Sequence, residues 1–359
     1  MGMDVIRDDL REIATRADED LRALDGKRVL ITGGAGFLMS YLVDVLAARS
    51  GSAQGGAAPR VVVVDNFTTA RRGRLSHLAA NPNVELREVD AATMELGEPF
   101  DVVVHGASIA SPVAYRRMPL RTIEVNALGT WGLLRATVER QLDAFVLLST
   151  SEIYGDPDPA NVPTPETYPG LVSSTGPRAC YDESKRFAET LALTYFRAHA
   201  TPVRIVRPFN VYGPGLQHDD GRVVPSLVDA ARRGEDLVLH SDGSPRRSFC
   251  YVTDFIVSLL RVITRGVDGE PYNIGDDREE ISMRDLAERI HRVTQAAGRV
   301  VLRPSDDPDY LIDNPQRRCP DLTKLRALGG STPSVPLEEG LRRYARWLAA
   351  QVAPQGGGA

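Results

Sequence analysis

The chain has 359 residues, 42% of them hydrophobic, which suits two closely joined domains better than one. Its formal net charge of −5 argues against nucleic acid or an anionic membrane as the main partner, and no apolar run reaches the about 18–20 residues of a membrane span. The three cysteines are widely spaced and do not suggest disulfides, and the six histidines show no metal-binding spacing, so we expect no metal site. The N-terminus is unlike a signal peptide, and together with the cysteines it indicates a cytoplasmic protein.

The first 26 residues carry apolar side chains at helical spacing, so they form one apolar stripe. The members of this stripe are Val5, Ile6, Leu10, Ile13, Ala17, Leu21 and Leu24. We therefore predict an N-terminal helical extension over residues 1–26 that packs on the body of the protein or on a second subunit.

From Arg28 onward, short apolar runs alternate with helical segments. The runs lie at 28–32, 61–65, 84–90, 101–105, 144–149 and 203–207. This alternation predicts an α/β fold with a Rossmann-type, doubly wound parallel sheet over residues 27–207. Residues 208–352 are richer in proline and glycine and predict a smaller, mixed substrate-binding domain, interleaved with the first. The tail at 353–359 is predicted to be disordered.

The segment ITGGAGFLMS (31–40) follows the first predicted strand and opens a helix. Glycines in this position let backbone N–H groups approach a pyrophosphate at the positive end of the helix. Asp65 ends the second strand and is expected to accept hydrogen bonds from ribose hydroxyls, which favours NAD over NADP. The predicted cofactor-binding residues are Gly33, Gly36, Phe37, Leu38, Asp65, Asn66, Asp90, Ala107, Tyr181 and Lys185.

Two features keep alternatives open for the cofactor. Three arginines follow Asp65 closely in sequence and could bind the 2′-phosphate of NADP: Arg71, Arg72 and Arg74. Met39 occupies a position where the motif leads us to expect glycine. It should either push the helix outward or lie against small neighbours.

Tyr181 and Lys185 are four residues apart in ACYDESKRFAET (179–190) and would share one face of a helix. A tyrosine can act as a base near pH 7 only if its pKa falls by about three units from about 10, which takes about 4 kcal/mol. One ammonium about 4 Å away supplies about that much at an effective dielectric of about 20. Lys185 is one of only three lysines in this arginine-rich chain.

Together these motifs resemble the extended short-chain dehydrogenase/reductase superfamily, over about residues 28–348. Within it the sequence most resembles the UDP-glucuronate decarboxylase (UDP-xylose synthase) group. The resemblance is carried by HGASIASP (105–112), STSEIYGDP (149–157), GPRACYDESKR (176–186), DGRVV (220–224) and NPQRRCPD (314–321).

The resemblance implies catalytic roles for Tyr181, Lys185, Thr150, Ser151 and Glu152. Tyr181 would take the C4 hydroxyl proton while C4 gives hydride to NAD, and the 4-ketone would let the neighbouring carboxylate leave as carbon dioxide. A hydroxyl of Thr150 or Ser151 would stabilise the enolate, and Glu152 would organise water or deliver the C5 proton.

For the substrate, the resemblance implies a uridine- or thymidine-linked glucuronate. Whether the 4-keto intermediate is reduced to xylose or released stays open. The predicted substrate-binding residues are Ser111, Asn210, Arg222, Arg247 and Arg318. The family also implies a homodimer, in which helices from 122–138 and around Tyr181 form a four-helix bundle with a second subunit.

Three alternative functions remain. Related 4,6-dehydratases carry aspartate where this chain has Ser151, and related 4-epimerases have a small residue in place of Glu152, so both are less favoured. The third alternative is an NAD-binding scaffold without activity, for which Met39 is the only indication.

Overall fold

The computed structural model describes residues 2–51, 56–138, 140–307, 309, 312–329 and 333–352. Within these ranges the strands are β1 Arg28–Thr32, β2 Arg60–Asp65, β3 Val84–Glu88, β4 Val102–His105, β5 Ala144–Leu148, β6 Val203–Pro208, β7 Val211–Tyr212, β8 Leu237–Leu239, β9 Arg246–Arg247, β10 Cys250–Tyr251, β11 Glu270–Ile274, β12 Ile281–Ser282, β13 Val300–Leu302 and β14 Arg317–Arg318.

The α-helices of the same ranges are α1 Gly2–Arg16, α2 Asp18–Arg22, α3 Phe37–Ala47, α4 Pro112–Arg117, α5 Pro119–Ile123, α6 Thr130–Thr137, α7 Ala179–His199, α8 Val223–Arg233, α9 Val252–Arg265, α10 Met283–Thr294, α11 Thr323–Ala327 and α12 Leu337–Val352. Short 3₁₀ helices span Arg72–Leu78, Ser151–Tyr154 and Pro159–Asn161, and a π-helical turn spans Glu124–Gly129. None of the helices described here is long and apolar enough to cross a membrane.

Seven parallel strands form the main sheet, in the order β3-β2-β1-β4-β5-β6-β11. The strand order reverses between β1 and β4, so the loops that follow these two strands diverge and leave a crevice at their carboxyl ends. The predicted α/β, doubly wound architecture is confirmed. The seventh strand, β11, comes from beyond residue 208.

Both faces of the sheet are buried, which explains the continuous apolar runs. Side chains alternate between the faces: Val29 and Ile31 pack in the cluster that includes α3 and α9, whereas Leu30 packs in the cluster that includes α6 and α7. The two helical layers thus fix the strand ends, where the candidate site lies.

The chain beyond β6 also forms smaller sheets. A three-stranded sheet has the order β12-β9-β14, and two further sheets have two strands each, β8 with β13 and β7 with β10. The parallel pairing of β9 with β14 brings Arg247 beside Arg318. The proposed division near residue 208 stays a prediction, and the tail 353–359 lies outside the described residues.

Helix α1 packs on α3, α9 and α12. Its Asp9 is fully buried and accepts hydrogen bonds from the hydroxyls of Tyr41 and Tyr251 and from the guanidinium of Arg343. Because these partners lie on both halves of the chain, the N-terminal segment connects the sheet to the C-terminal helix.

Candidate active site

The glycine turn after β1 is shaped for close backbone approach. Gly33 has φ of +68°, and a Cβ placed on it would lie 2.7 Å from the backbone of Ala107. Gly36 caps the N-terminus of α3, whose first two residues are Phe37 and Leu38. Only glycine tolerates this backbone without strain, and the resulting cradle at a helix N-terminus fits a dinucleotide pyrophosphate.

Met39 lies against a small neighbour, which was one of the two outcomes expected. It is buried, and its Cγ and Sδ occupy the space that a Cβ on Gly106 would need, at 2.5 and 2.8 Å. Gly106 directly follows the neighbouring strand β4. Because it has no side chain, it leaves the space that the longer side chain of Met39 needs.

A cavity lies over this turn and gathers many of the predicted cofactor residues. Gly33, Gly36, Asp65, Asn66 and Ala107 all line it. The Asp65 carboxylate accepts hydrogen bonds from the backbone N–H groups of Ala35 (2.9 Å) and Phe67 (2.8 Å). Burial raises the pKa of Asp65, and these hydrogen bonds oppose the rise.

Two of the three arginines that could have favoured a 2′-phosphate have other partners. Arg72 pairs with Glu88 and lies over the ring of Phe67, and Arg74 pairs with Asp44. Asp90 forms an ion pair with Arg121, and its contact with the adenine stays a prediction. Arg121 lines the cavity, so the pair still borders the cofactor region.

Tyr181 and Lys185 lie on α7 as predicted, but their electrostatics differ from the expectation. Lys185 is buried and its Nζ donates to the carbonyl of Leu148 at 2.8 Å. Burial lowers the pKa of Lys185 to about 7. Burial raises the pKa of Tyr181 to about 12, although a hydrogen bond with Thr150 opposes the rise.

The predicted lowering of the tyrosine pKa by the neighbouring ammonium is therefore not observed, and the pKa of Tyr181 is raised instead. The physical reason is that burial disfavours the charged form of both groups at once. An ammonium has three N–H donors, and within the described residues Lys185 uses one of them. The other two fit the ribose hydroxyls of a dinucleotide.

A series of hydrogen bonds links the loop after β4 to helix α7, which carries Tyr181 and Lys185. Ser108 donates to Asn126 Oδ1 (2.7 Å), and Asn126 Nδ2 donates to Ser184 Oγ (2.9 Å). Ser184 in turn donates to the carbonyl of Cys180 (2.6 Å). Asn126 lies in the π-helical turn, so this irregular element holds α7 at a fixed distance from the β4 loop.

Glu152 lies at the centre of a cluster of arginines. It follows Thr150 and Ser151 at the end of β5 and pairs with Arg178, while both Nη groups of Arg318 bind its two oxygens. Burial opposes ionisation, but these two guanidinium groups outweigh it and hold the pKa of Glu152 well below its usual value. Glu152 is therefore a carboxylate at neutral pH.

The predicted substrate-binding residues surround this cluster, and several have partners within the chain. Arg318 does not extend a free fork because Glu152 occupies it. The Nη groups of Arg247 donate to backbone carbonyls of residues 246, 315 and 316 and to Asn314. On strands β9 and β14 side chains alternate, so Arg247 and Arg318 point inward.

The remaining predicted substrate residues hold loops at the edge of the cleft. Ser111 caps α4 and donates to the carbonyl of Asp220 (2.9 Å). Arg222 donates to the carbonyl of Ala110 (2.8 Å), and Asn210 donates to the carbonyl of Ser248 (2.9 Å). The contacts of Ser111 and Arg222 join the loop after β4 to the chain beyond residue 208.

Three residues of this site were not predicted from the sequence. Arg178 pairs with Glu152, Asp182 is buried beside Arg178, and the ring of Tyr115 stacks on that of Tyr181 with centroids 5.0 Å apart. Arg178 lies three residues before Tyr181, which is one helical turn, so its spacing could have indicated a shared face. Nothing in the sequence pattern indicated Tyr115, because a different helix supplies it.

Comparisons with known proteins agree with this geometry. Residues 29–275 match the model of the NAD dependent epimerase/dehydratase family. UDP-glucuronic acid decarboxylase 2 of Arabidopsis thaliana is 42% identical over 316 residues, which cover 88% of this chain and 67% of the relative. UDP-glucuronic acid decarboxylase 1 of Xenopus tropicalis is 37% identical over 331 residues, which cover 92% and 74%.

Solved structures of the same kind superpose on the chain. UDP-glucose 4-epimerase of Thermotoga maritima has a TM-score of 0.78 at 26% identity, covering 91% of this chain and 100% of its own. UDP-glucuronic acid 4-epimerase of Bacillus cereus, solved with UDP-glucuronic acid and NAD, has a TM-score of 0.75 at 25% identity and the same coverage. The chain belongs to the NAD dependent epimerase/dehydratase family.

Proposed function

We propose that this protein is an NAD-dependent decarboxylase of UDP-glucuronate. The observation that carries the proposal is the arginine cluster around Glu152 beside Tyr181, since Arg178, Arg247 and Arg318 together exceed the charge of Glu152 and favour a sugar carboxylate. The curated relatives at about 40% identity, which bear the name UDP-glucuronic acid decarboxylase, support the same reaction.

The chain's own residues divide the work of the reaction. The glycine turn, Asp65 and Lys185 would hold NAD, which when bound supplies the acceptor for the hydride from C4. Tyr181 would accept the proton of the C4 hydroxyl as a phenolate, after its own proton has left, and the hydrogen bond with Thr150 favours that ionised form. Once C4 is a ketone, carbon dioxide leaves readily because the electron pair of the breaking bond moves towards the carbonyl oxygen.

Glu152 takes the first of the two parts implied by the resemblance. Since it is a carboxylate at rest, it organises the two guanidinium groups and would hold the water that returns a proton to C5 after carbon dioxide leaves. The side chains of Thr150 and Ser151 are buried at the strand end beside it and remain the proposed donors to the enolate oxygen.

The test is incubation of the purified protein and NAD with UDP-glucuronate, followed by measurement of carbon dioxide and of product mass. We expect carbon dioxide and a nucleotide pentose. A product of unchanged mass would indicate a 4-epimerase, and loss of water from a nucleotide hexose would indicate a 4,6-dehydratase. Binding of NAD without turnover of any nucleotide sugar would favour a scaffold. Parallel reactions with dTDP-glucuronate decide the nucleotide, and the pentose mass decides whether the 4-ketone is reduced.

We also propose a homodimer in the cytoplasm. The π-helical turn and α5–α7 form a layer that leaves large apolar side chains exposed, among them Trp131 at 50% and Phe187 at 52%. A second copy of the same layer would cover this surface as a four-helix bundle. The cytoplasmic location is supported by three free cysteines, at positions 180, 250 and 319.

A further inference from the structure

Asp182 is a buried carboxyl group for which the proposed reaction has no use. It directly follows Tyr181 on α7 and is 4% exposed. Its Oδ1 has no hydrogen-bond partner among the described residues, and its Oδ2 lies 3.6 Å from Nε of Arg178. That Nε also has no hydrogen-bond partner in the described part of the chain.

These contacts favour the neutral form of Asp182. A buried carboxylate without hydrogen bonds is costly, and burial together with the negative charge of Glu152 raises the pKa of Asp182 to about 7. The cations Arg178 and Arg318 oppose this rise, and the carboxylate of Asp313 adds to it. The other titratable groups facing Asp182 are Tyr115, Cys180 and Tyr181.

The protonation of Asp182 sets the charge of the cluster. When Asp182 is neutral, one carboxylate, that of Glu152, faces two guanidinium groups, so the cluster carries one net positive charge. When Asp182 is ionised, the charges of these four groups cancel. Burial lowers the pKa of the nearby Arg247 to about 9, so Arg247 stays a cation through the range in which Asp182 titrates.

We propose that Asp182 is a specificity-determining residue, whose neutral form gives the site the positive charge that favours a carboxylate-bearing sugar nucleotide. This inference rests on the proposed function for the identity of that sugar. Linkage is reciprocal, so an anionic sugar that binds better to the protonated site must also promote uptake of a proton.

The experiment compares two ligands that differ at C6. Dissociation constants of UDP-glucuronate and UDP-glucose are measured by calorimetry on protein saturated with NADH, which cannot accept hydride, between pH 6 and pH 8.5. The ligand carboxylate stays ionised throughout this range. As pH rises from 6 to 8.5, we expect the dissociation constant of UDP-glucuronate to rise on the order of tenfold. The dissociation constant of UDP-glucose should change by less than about twofold, because this ligand has no carboxylate that interacts with the charge of Asp182.

Two further readouts separate this role from a merely structural one. At pH 7 in buffers of different ionisation enthalpy, binding of UDP-glucuronate should take up a fraction of a proton, and binding of UDP-glucose should not. Asp182→Asn should bind UDP-glucuronate about as tightly at pH 8.5 as at pH 6. If this variant fails to fold, Asp182→Ser takes its place, because Lys185 also titrates near pH 7 and the wild-type protein alone does not separate the two groups.

Equal pH dependence for the two ligands would overturn the proposal, and so would a flat dissociation constant for UDP-glucuronate or an unchanged pH profile in Asp182→Asn. Absence of carbon dioxide release, with the ligand-selective pH dependence intact, would instead overturn the proposed function and leave the role of Asp182 standing.

Discussion

At the scale of single residues, the site is governed by how burial acts on charge. Burial is the main cause that raises the pKa of Tyr181 and lowers that of Lys185, whereas the paired cations around Glu152 overcome burial and keep it ionised. Neutral and charged side chains therefore lie next to each other in this site. The number of nearby opposite charges decides whether a given buried group is ionised.

Tyr181→Phe removes the proposed proton acceptor and leaves the stacking on Tyr115 possible. We expect carbon dioxide release from UDP-glucuronate to fall by at least about 100-fold, with the thermal midpoint nearly unchanged because the ring volume is retained. Activity is measured by carbon dioxide release and folding by calorimetry. Near-normal activity of a folded variant would remove Tyr181 as the base.

Arg178→Met should destabilise the protein by about 2 kcal/mol, since a buried hydrogen bond between charged groups is lost. Arg317→Met is the matched control, because Arg317 pairs with Glu280 at a side-chain exposure of 38% and should cost less than about 1 kcal/mol. Urea unfolding measures both variants. Equal effects would mean that the arginine cluster adds nothing particular to stability.

At the scale of elements, α1 acts as a clamp between distant parts of the chain. Asp9 reaches tyrosines on α3 and β10 and an arginine on α12. This is why a segment that precedes the first strand still belongs to the packed body. Its apolar stripe was readable in sequence, but its partners were not.

Asp9→Asn tests this clamp through pH. Burial raises the pKa of Asp9 from 3.8 to about 6, so the folded state binds a proton more tightly than the unfolded state. Its stabilising contribution is thus present below pH 4 and is lost as pH rises through 6. We expect the free energy of unfolding of the wild type, relative to Asp9→Asn, to fall by about 2 kcal/mol between pH 4 and pH 7.

Chemical unfolding at several pH values measures this difference. Asp8→Asn is the control, because the neighbouring Asp8 side chain is 64% exposed, and its difference from the wild type should vary little with pH. A difference between wild type and Asp9→Asn that does not change with pH would contradict the assignment.

At the scale of the whole molecule, the exposed apolar layer of α5–α7 decides how copies associate. Phe187→Glu places a charge in this layer, and we expect it to convert a dimer into a monomer, as measured by light scattering. Val267→Glu is the control, because Val267 is similarly exposed, at 59%, but lies after α9 and outside the layer. A dimer mass for Phe187→Glu would exclude this surface.

Much of the fold could be predicted because its signals are local. The six apolar runs, the glycine turn and Asp65 at a strand end can each be recognised from a contiguous stretch of sequence. Parallel strands that alternate with helices commonly adopt the doubly wound arrangement. The strand Glu270–Ile274 was missed because it lies in a region of short elements, where no alternation with helices marks it.

By itself, the sequence determined the α/β architecture, the dinucleotide turn and the shared helical face of Tyr181 and Lys185, because each depends on spacing along one element. Only the tertiary structure decided the charge states and partners: that Arg318 binds Glu152, that Asp182 is buried beside Arg178, and that Lys185 bonds to a strand carbonyl. Charge states depend on burial and on groups brought from distant parts of the chain, and spacing along the chain carries no record of either.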